Sequence, residues 1–222
     1  MYFLDNTTHE VTLISSEATG NPGGIDFDGT QWLVWLDVNE ASSINWLWKY
    51  DVLNGIGPTV AQNGMTEIMA PKIFDGIVYY SAWDYPADMV NKADVRTHDL
   101  ATGVNAWVFE SPWDQVQVTT AGRVAAYVDT ETLAHNWFED PTAQIELYDL
   151  DTHVTRQVTE TAAAYYGLAR HEKYLGYLLG DDVLILCDLE AGGFIDASGH
   201  VCPESGCPEL DGGVDAGADA GE

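Results

Sequence analysis

A five-residue signature recurs five times along these 222 residues, and few folds accommodate such a pattern. Each copy is an apolar run ending in Asp, two further residues, a small or polar residue, then Gly or His. The copies lie at Asp5–His9, Asp51–Gly55, Asp99–Gly103, Asp149–His153 and Asp188–Gly192. Successive Asp residues are 46, 48, 50 and 39 positions apart. Strand-forming residues precede each Asp and apolar residues follow the turns, so each copy predicts a β-hairpin. The Asp is expected to accept backbone N–H groups, while Gly or a tolerant residue takes the φ > 0 position.

A second signature opens each full unit. It is a turn, usually with Gly, followed by a run rich in Val, Trp and Tyr that ends in Asp. It reads Phe27–Asp37, Phe74–Asp84, Thr120–Asp129 and, without the Gly, His171–Asp181. Another short strand precedes each turn: GIDF, PKIF, VQVTT and YYGLA. Each unit therefore holds four short strands in about 46 residues, the content of one propeller blade. The predicted fold is all-β, a β-propeller of four-stranded antiparallel blades. The domain spans 1–200, with a half blade at 1–21 and blades at 22–66, 67–112, 113–160 and 161–199. A whole repeating unit argues against a sandwich, and no segment keeps a helical apolar period. About four and a half blades is an incomplete count, and a half blade leaves a sheet edge open. A partial propeller whose other blades lie outside this chain is the expectation. Residues 201–222 are expected to form a disordered acidic Gly/Ala/Asp tail.

The paired signatures resemble the TolB-like and WD40-like families of bacterial β-propellers. The resemblance is carried by Tyr50-Asp51, by His98 through Gly103, by Tyr148 through Thr152, and by the Phe-Asp-Gly turns at Phe27 and Phe74. The tail resembles the Asp/Gly/Ala linkers of myxobacterial secreted envelope proteins. These resemblances imply a binding or scaffold role in the periplasm, at the outer membrane or outside the cell. They specify architecture more than activity.

Charge narrows the partners. There are 36 acidic residues against 8 Lys plus Arg, a net charge of −28. Such a chain repels nucleic-acid phosphates and anionic membranes. It suits solubility, Ca²⁺ binding by carboxylates or a cationic partner. No 18-residue apolar stretch occurs, so no membrane insertion is expected in this chain. The start, MYFLDNTTHE, lacks the regions of a signal peptide, which says little about location if the chain begins mid-blade.

In a propeller the loops between second and third strands share one face with the blade-to-blade connections. Here those loops are long, and long loops often carry function. They hold Asp37, Glu40, Asp84, Asp88, Glu131, His135, Glu139 and Asp140, with Trp83, Tyr85 and Trp137 between them. Carboxylates among aromatics suit a calcium, sugar or cationic-peptide site, so a protein or carbohydrate partner is expected. A solvated rim is the competing reading. Catalytic motifs are missing: there is no G-x-S-x-G, H-E-x-x-H or paired C-x-x-C. His135 and His171 could ligate a metal in a lyase-like propeller, but the six histidines are scattered along the chain. Asp26 and Asp28 read as turn residues rather than a calcium loop. Cys187 is expected to be buried in its strand. Cys202 and Cys207 are spaced for a small local disulfide. The leading function is thus a non-enzymatic binding module. The rival is a metal-assisted polysaccharide lyase or hydrolase.

Overall fold

The computed structural model describes residues 2–4, 9, 11–14, 21–39, 44–66, 68–83, 93–108, 114–130, 143–159, 165–179 and 183–205. Every regular element in them is a β-strand. The short hairpin β1 (Tyr2–Leu4) and β2 (Val11–Leu13) comes first. The first full blade is β3 (Asn21–Phe27), β4 (Trp32–Asn39), β5 (Ile44–Asp51) and β6 (Ile56–Thr66). The second is β7 (Ile68–Phe74), β8 (Ile77–Trp83), β9 (Ala93–Asp99) and β10 (Asn105–Trp107). The third is β11 (Gln115–Ala121), β12 (Val124–Asp129), β13 (Gln144–Asp149) and β14 (Thr155–Gln157). The last has β15 (Tyr165–His171), β16 (Tyr174–Leu179) and β17 (Val183–Asp188). Within each blade the strands pair antiparallel in chain order. Neighbouring blades meet through their first strands, in the order β3, β7, β11, β15.

The hairpin signature works as its chemistry requires. Asp99 Oδ1 accepts the N–H groups of Ala101 and Thr102, and Asp149 Oδ1 those of Asp151 and Thr152. Gly55, Gly103, His9 and His153 take φ of 64°, 71°, 59° and 58°, the left-handed region that the turn demands. At the other turn Asp28 Oδ1 accepts from Thr30, Gln31 and Trp32. Asp26 does something else. Its Oδ2 accepts the N–H of Ile73 at 2.8 Å and so ties the first blade to the second.

Alternation along each second strand builds the core between blades, not within them. On β4, Leu33 and Trp35 pack with Ile14 and Tyr50. The intervening Val34 and Leu36 pack with Val78 and Tyr80 of the next blade. On β12, Ala125 and Tyr127 pack back on Tyr79 and Val95. Val124, Ala126 and Val128 pack forward on Leu175 and Tyr177 of β16. A buried side chain of this size contributes about 1.5–3 kcal/mol, so each blade interface is held mainly by a few such residues.

Three expectations need correction. Among the described residues the last unit has three strands rather than four. After β17 the chain curls through Gly192 and Gly193, and an Asp196 turn reverses it: Asp196 Oδ1 accepts from Ser198 and His200. Only a single bridge, Ile195 to Val201, forms there. Two adjacent reversals leave no length for a strand. Second, packing continues past residue 200: Val201 and Cys202 are 4% and 1% exposed, and Val201 joins the core between the last two blades. Residues 206–222 lie outside the described residues. Third, Cys187 is half-buried rather than buried, a free thiol at the margin of that core.

Candidate functional site

The loops expected to form the ligand face begin at the ends of β4 and β8. Asp37 sits near the end of β4 and is buried. Trp83 closes β8. Glu40, Asp84, Tyr85, Asp88, Glu131, His135, Trp137, Glu139, Asp140 and Cys207 lie outside the described residues.

The opposite face carries the tight turns. These enclose a funnel of about 1090 Å³ around the inner strands, lined by the first turn of every full blade and by Ile195–His200. Three of the chain's eight Lys and Arg residues line it: Arg123, Arg170 and Lys173. Each has a structural task. The Arg123 guanidinium pairs with Asp151. Lys173 pairs with Asp188 at 3.1 Å and Glu190 at 3.3 Å. Arg170 Nη1 donates to the Val124 carbonyl at 2.7 Å and ties the last blade to the third. Burial pulls the Arg170 guanidinium down to about 10, against the opposing pull of Asp149. Arg170 thus remains cationic at neutral pH. His171 is exposed at the end of β15.

The most chemically loaded cluster lies at the rim of this funnel. Asp149, Asp151 and His200 bring one ligand atom each within 4.8 Å of one another. The Asp149 side chain is fully buried. Its Oδ1 accepts the two turn N–H groups, and its Oδ2 accepts the Val201 N–H at 3.0 Å and lies 2.9 Å from His200 Nδ1. Burial pushes the Asp149 carboxyl up, but the N–H groups of Asp151, Val201 and Thr152 and the His200 ring outweigh it and hold it low. The hydrogen bond and the charge of Asp149 raise His200. The set does not fit Ca²⁺. It offers two carboxylates and a nitrogen where Ca²⁺ takes six to eight oxygens, and Asp151 already holds Arg123.

The cluster is better described as a clasp. The returning segment after β17 is fixed to the third blade at two points. Asp149 holds His200 and Val201. On β14, Arg156 Nη1 donates to the carbonyls of Gly193 and Pro203 at 2.7 and 3.2 Å, and its guanidinium lies 4.9 Å from the Phe194 ring centre. Cys202, within this segment, is disulfide-bonded. Sequence reading placed His200 at the edge of the tail and missed this partnership. The remaining described histidines stay apart. His98 bonds Asn105 and His153 bonds Tyr148 Oη, at 2.8 and 2.7 Å.

The clasp predicts a pH dependence. His200 has a raised folded pKa, so its contribution is complete below its ordinary value of 6.5 and is lost as pH rises through the folded value. Asp149 has a lowered folded pKa, so its contribution is complete above 3.8 and is lost as pH falls through the folded value. Between 3.8 and 6.5 both act. The His200 ring is 44% exposed, so solvent screening limits its share to less than about 1 kcal/mol. Thermal melts should show a fall in melting temperature above pH 6.5 that is smaller in His200→Gln. An identical fall in both proteins would remove His200 from the account.

No protein-family model matches the sequence, and no curated protein matches it. Solved structures do. TolB from Acinetobacter baumannii matches with a TM-score of 0.53 and 12% identity over 81% of this chain and 46% of that one. An oligogalacturonate lyase in complex with manganese matches with a TM-score of 0.59 and 16% identity, over 86% and 57%. The β-propeller domain of the trilobed protease from Pyrococcus furiosus, described as having an open velcro topology, matches with a TM-score of 0.55 and 11% identity, over 86% and 62%. The chain spans about half to three fifths of the length of these three proteins. At such identities the likeness is one of fold: the blades form a TolB-like β-propeller.

Proposed function

We propose that this propeller is a non-enzymatic binding module of the bacterial cell envelope that docks a protein partner on its long-loop face. The observation carrying this reading is the state of the Asp149 cluster. It is the one group of described residues with the makings of a metal site, and its polar atoms are already engaged: Asp149 holds His200 and Val201, and Asp151 holds Arg123. What is left for function is the set of acidic and aromatic residues that the sequence places in the long loops: Glu40, Asp84, Tyr85 and Asp88 in the first two, and Glu131, Trp137, Glu139 and Asp140 in the third. With a net charge of −28, the fitting partner presents a basic patch, which charge steers toward an acidic face. The disulfide at Cys202 supports an oxidising compartment such as the periplasm or cell exterior.

The metal-assisted lyase reading draws on the same Asp149, Asp151 and His200 set. One experiment separates the two. Fluorescence anisotropy with labelled cationic peptides and neutral peptides of equal length, at low and high salt, reads docking. Incubation with polygalacturonate and Mn²⁺, followed by ultraviolet absorbance of unsaturated product, reads lyase chemistry. Docking predicts that cationic peptides alone bind, that salt weakens them, and that Asp84→Asn with Asp88→Asn weakens them several-fold. Peptides that bind regardless of charge, or Mn²⁺-dependent product, would overturn the proposal.

A further inference from the structure

Two apolar sheet faces, one on the last blade and one on the β1–β2 hairpin, have no cover among the described residues. On β16, Leu175 and Tyr177 face the third blade and are buried. Tyr174 and Leu178 point the other way and are 40% and 36% exposed. Leu178 pairs with Leu184, and Gly176 with Leu186, so these leucines share that outer face. They are 73% and 70% exposed. At the opposite end, the β1–β2 hairpin follows the same rule. Ile14, just after β2, is buried against Leu33, Trp35 and Tyr50 of the first full blade. Leu4 pairs with Val11 and Tyr2 with Leu13, which puts Leu4, Val11 and Leu13 on one face. They are 52%, 64% and 53% exposed.

Exposed apolar side chains are ordinary when scattered and informative when contiguous. The charge pattern sharpens the point. The chain has 36 acidic residues, yet β1 and β2 contain none. The only one on β16 and β17 is Asp188, which Lys173 pairs. Both surfaces also continue an interface that the fold already uses: alternate residues of every other second strand are divided between two neighbouring blades. The outer face of β16 is the one such face left without a neighbour among the described residues.

We infer that the outer face of the last blade docks the β1–β2 hairpin face of a second copy of this chain, as blade packs on blade within one copy. The two surfaces differ, so the contact is heterologous and head to tail. Acidic chains repel one another, and salt screens that repulsion while strengthening apolar burial. Self-association therefore increases with salt, opposite to a charge-paired interface.

Sedimentation velocity of the full chain over a concentration series, at low and high salt, tests this. The expected result is a mass that rises with concentration, more so at high salt. Leu186→Asp blocks one surface and Val11→Asp the other, each weakening self-association by about tenfold or more, because a charge enters an apolar contact. Both positions are exposed, so the near-ultraviolet circular dichroism of each variant should match the parent, confirming that it folds. Mixing the two variants is decisive. Each retains the surface that the other lacks, so the mixture forms a one-to-one dimer although neither variant associates alone. A monomer at every concentration and salt, association that survives either variant, or a mixture that stays monomeric would overturn the inference.

Discussion

Asp149→Ala is expected to destabilise the propeller by about 3–5 kcal/mol, the range for removing one partner from a buried charged network. The residue is fully buried. Its two oxygens serve four partners: the N–H groups of Asp151, Thr152 and Val201, and the His200 ring. Alanine leaves the buried Val201 N–H without its acceptor and frees the segment that packs Ile195 and Val201 into the core between the last two blades. Asp99→Ala is the proper reference. Asp99 occupies the same place in the preceding hairpin and accepts the same two turn N–H groups, but among the described residues it holds no returning segment. It should cost about 1 kcal/mol, near the ordinary net value of such bonds. Urea unfolding midpoints at constant slope would measure both. Equal losses at the two positions would mean that the clasp adds nothing to the turn. A double-mutant cycle with His200→Ala should give a coupling below about 1 kcal/mol, because the two groups touch but the His200 ring is solvent-screened.

That pair of aspartates also shows where sequence reading stops. Asp99 and Asp149 sit in nearly identical pentapeptides, and the turn chemistry of both was legible because a tight turn is a local requirement. The additional role of Asp149 depends on His200, 51 residues away, and no local pattern encodes that return. The same distinction runs through the fold. The four-strand order of the blades follows from the repeat. Bulges in the first strands do not. The register shifts between Gly23 and Ile25, Val116 and Thr119, and Tyr166 and Ala169, at residues Gly24, Gln117 and Gly167 with φ of 51°, 56° and 59°. Gln117 uses its bulge to reach the next blade, where its Oε1 accepts the Gly167 N–H at 2.7 Å. Asp26 makes the equivalent tie two interfaces earlier, between the first and second blades. A polar residue inside a strand looks from sequence like a solvent-facing position; only the packed neighbour shows that it is a staple between blades. The final unit misled for a related reason. Phe194 and Ile195 supply the apolar residues that a fourth strand needs, but in the clasped segment Ile195 is buried and Phe194 half-buried against the core instead.

The second large effect concerns the blade interface itself. Tyr127→Ala should destabilise the protein by about 3–5 kcal/mol, the usual loss for deleting a buried aromatic side chain. Tyr127 is fully buried on β12 and packs between the second and third blades with Tyr79, Val95 and Val118. Its hydroxyl donates to Glu146 Oε2 at 3.0 Å, on the residue directly opposite in β13. Burial pushes the Tyr127 phenol far above its ordinary range, so it stays protonated and remains the donor. Burial also raises the Glu146 carboxyl, and the Tyr127 bond opposes that rise. Tyr127→Phe keeps the ring and removes the bond, so it should cost about 1–2 kcal/mol. The gap between the two variants isolates ring packing from the polar contact. If blades are joined chiefly by apolar side chains, as the alternation along β4, β8 and β12 requires, Phe recovers most of the loss caused by Ala. If Phe proves as damaging as Ala, the Tyr127–Glu146 bond rather than packing governs this interface. The apolar account would then fail for the outer face of the last blade as well, since that face has no equivalent polar pair.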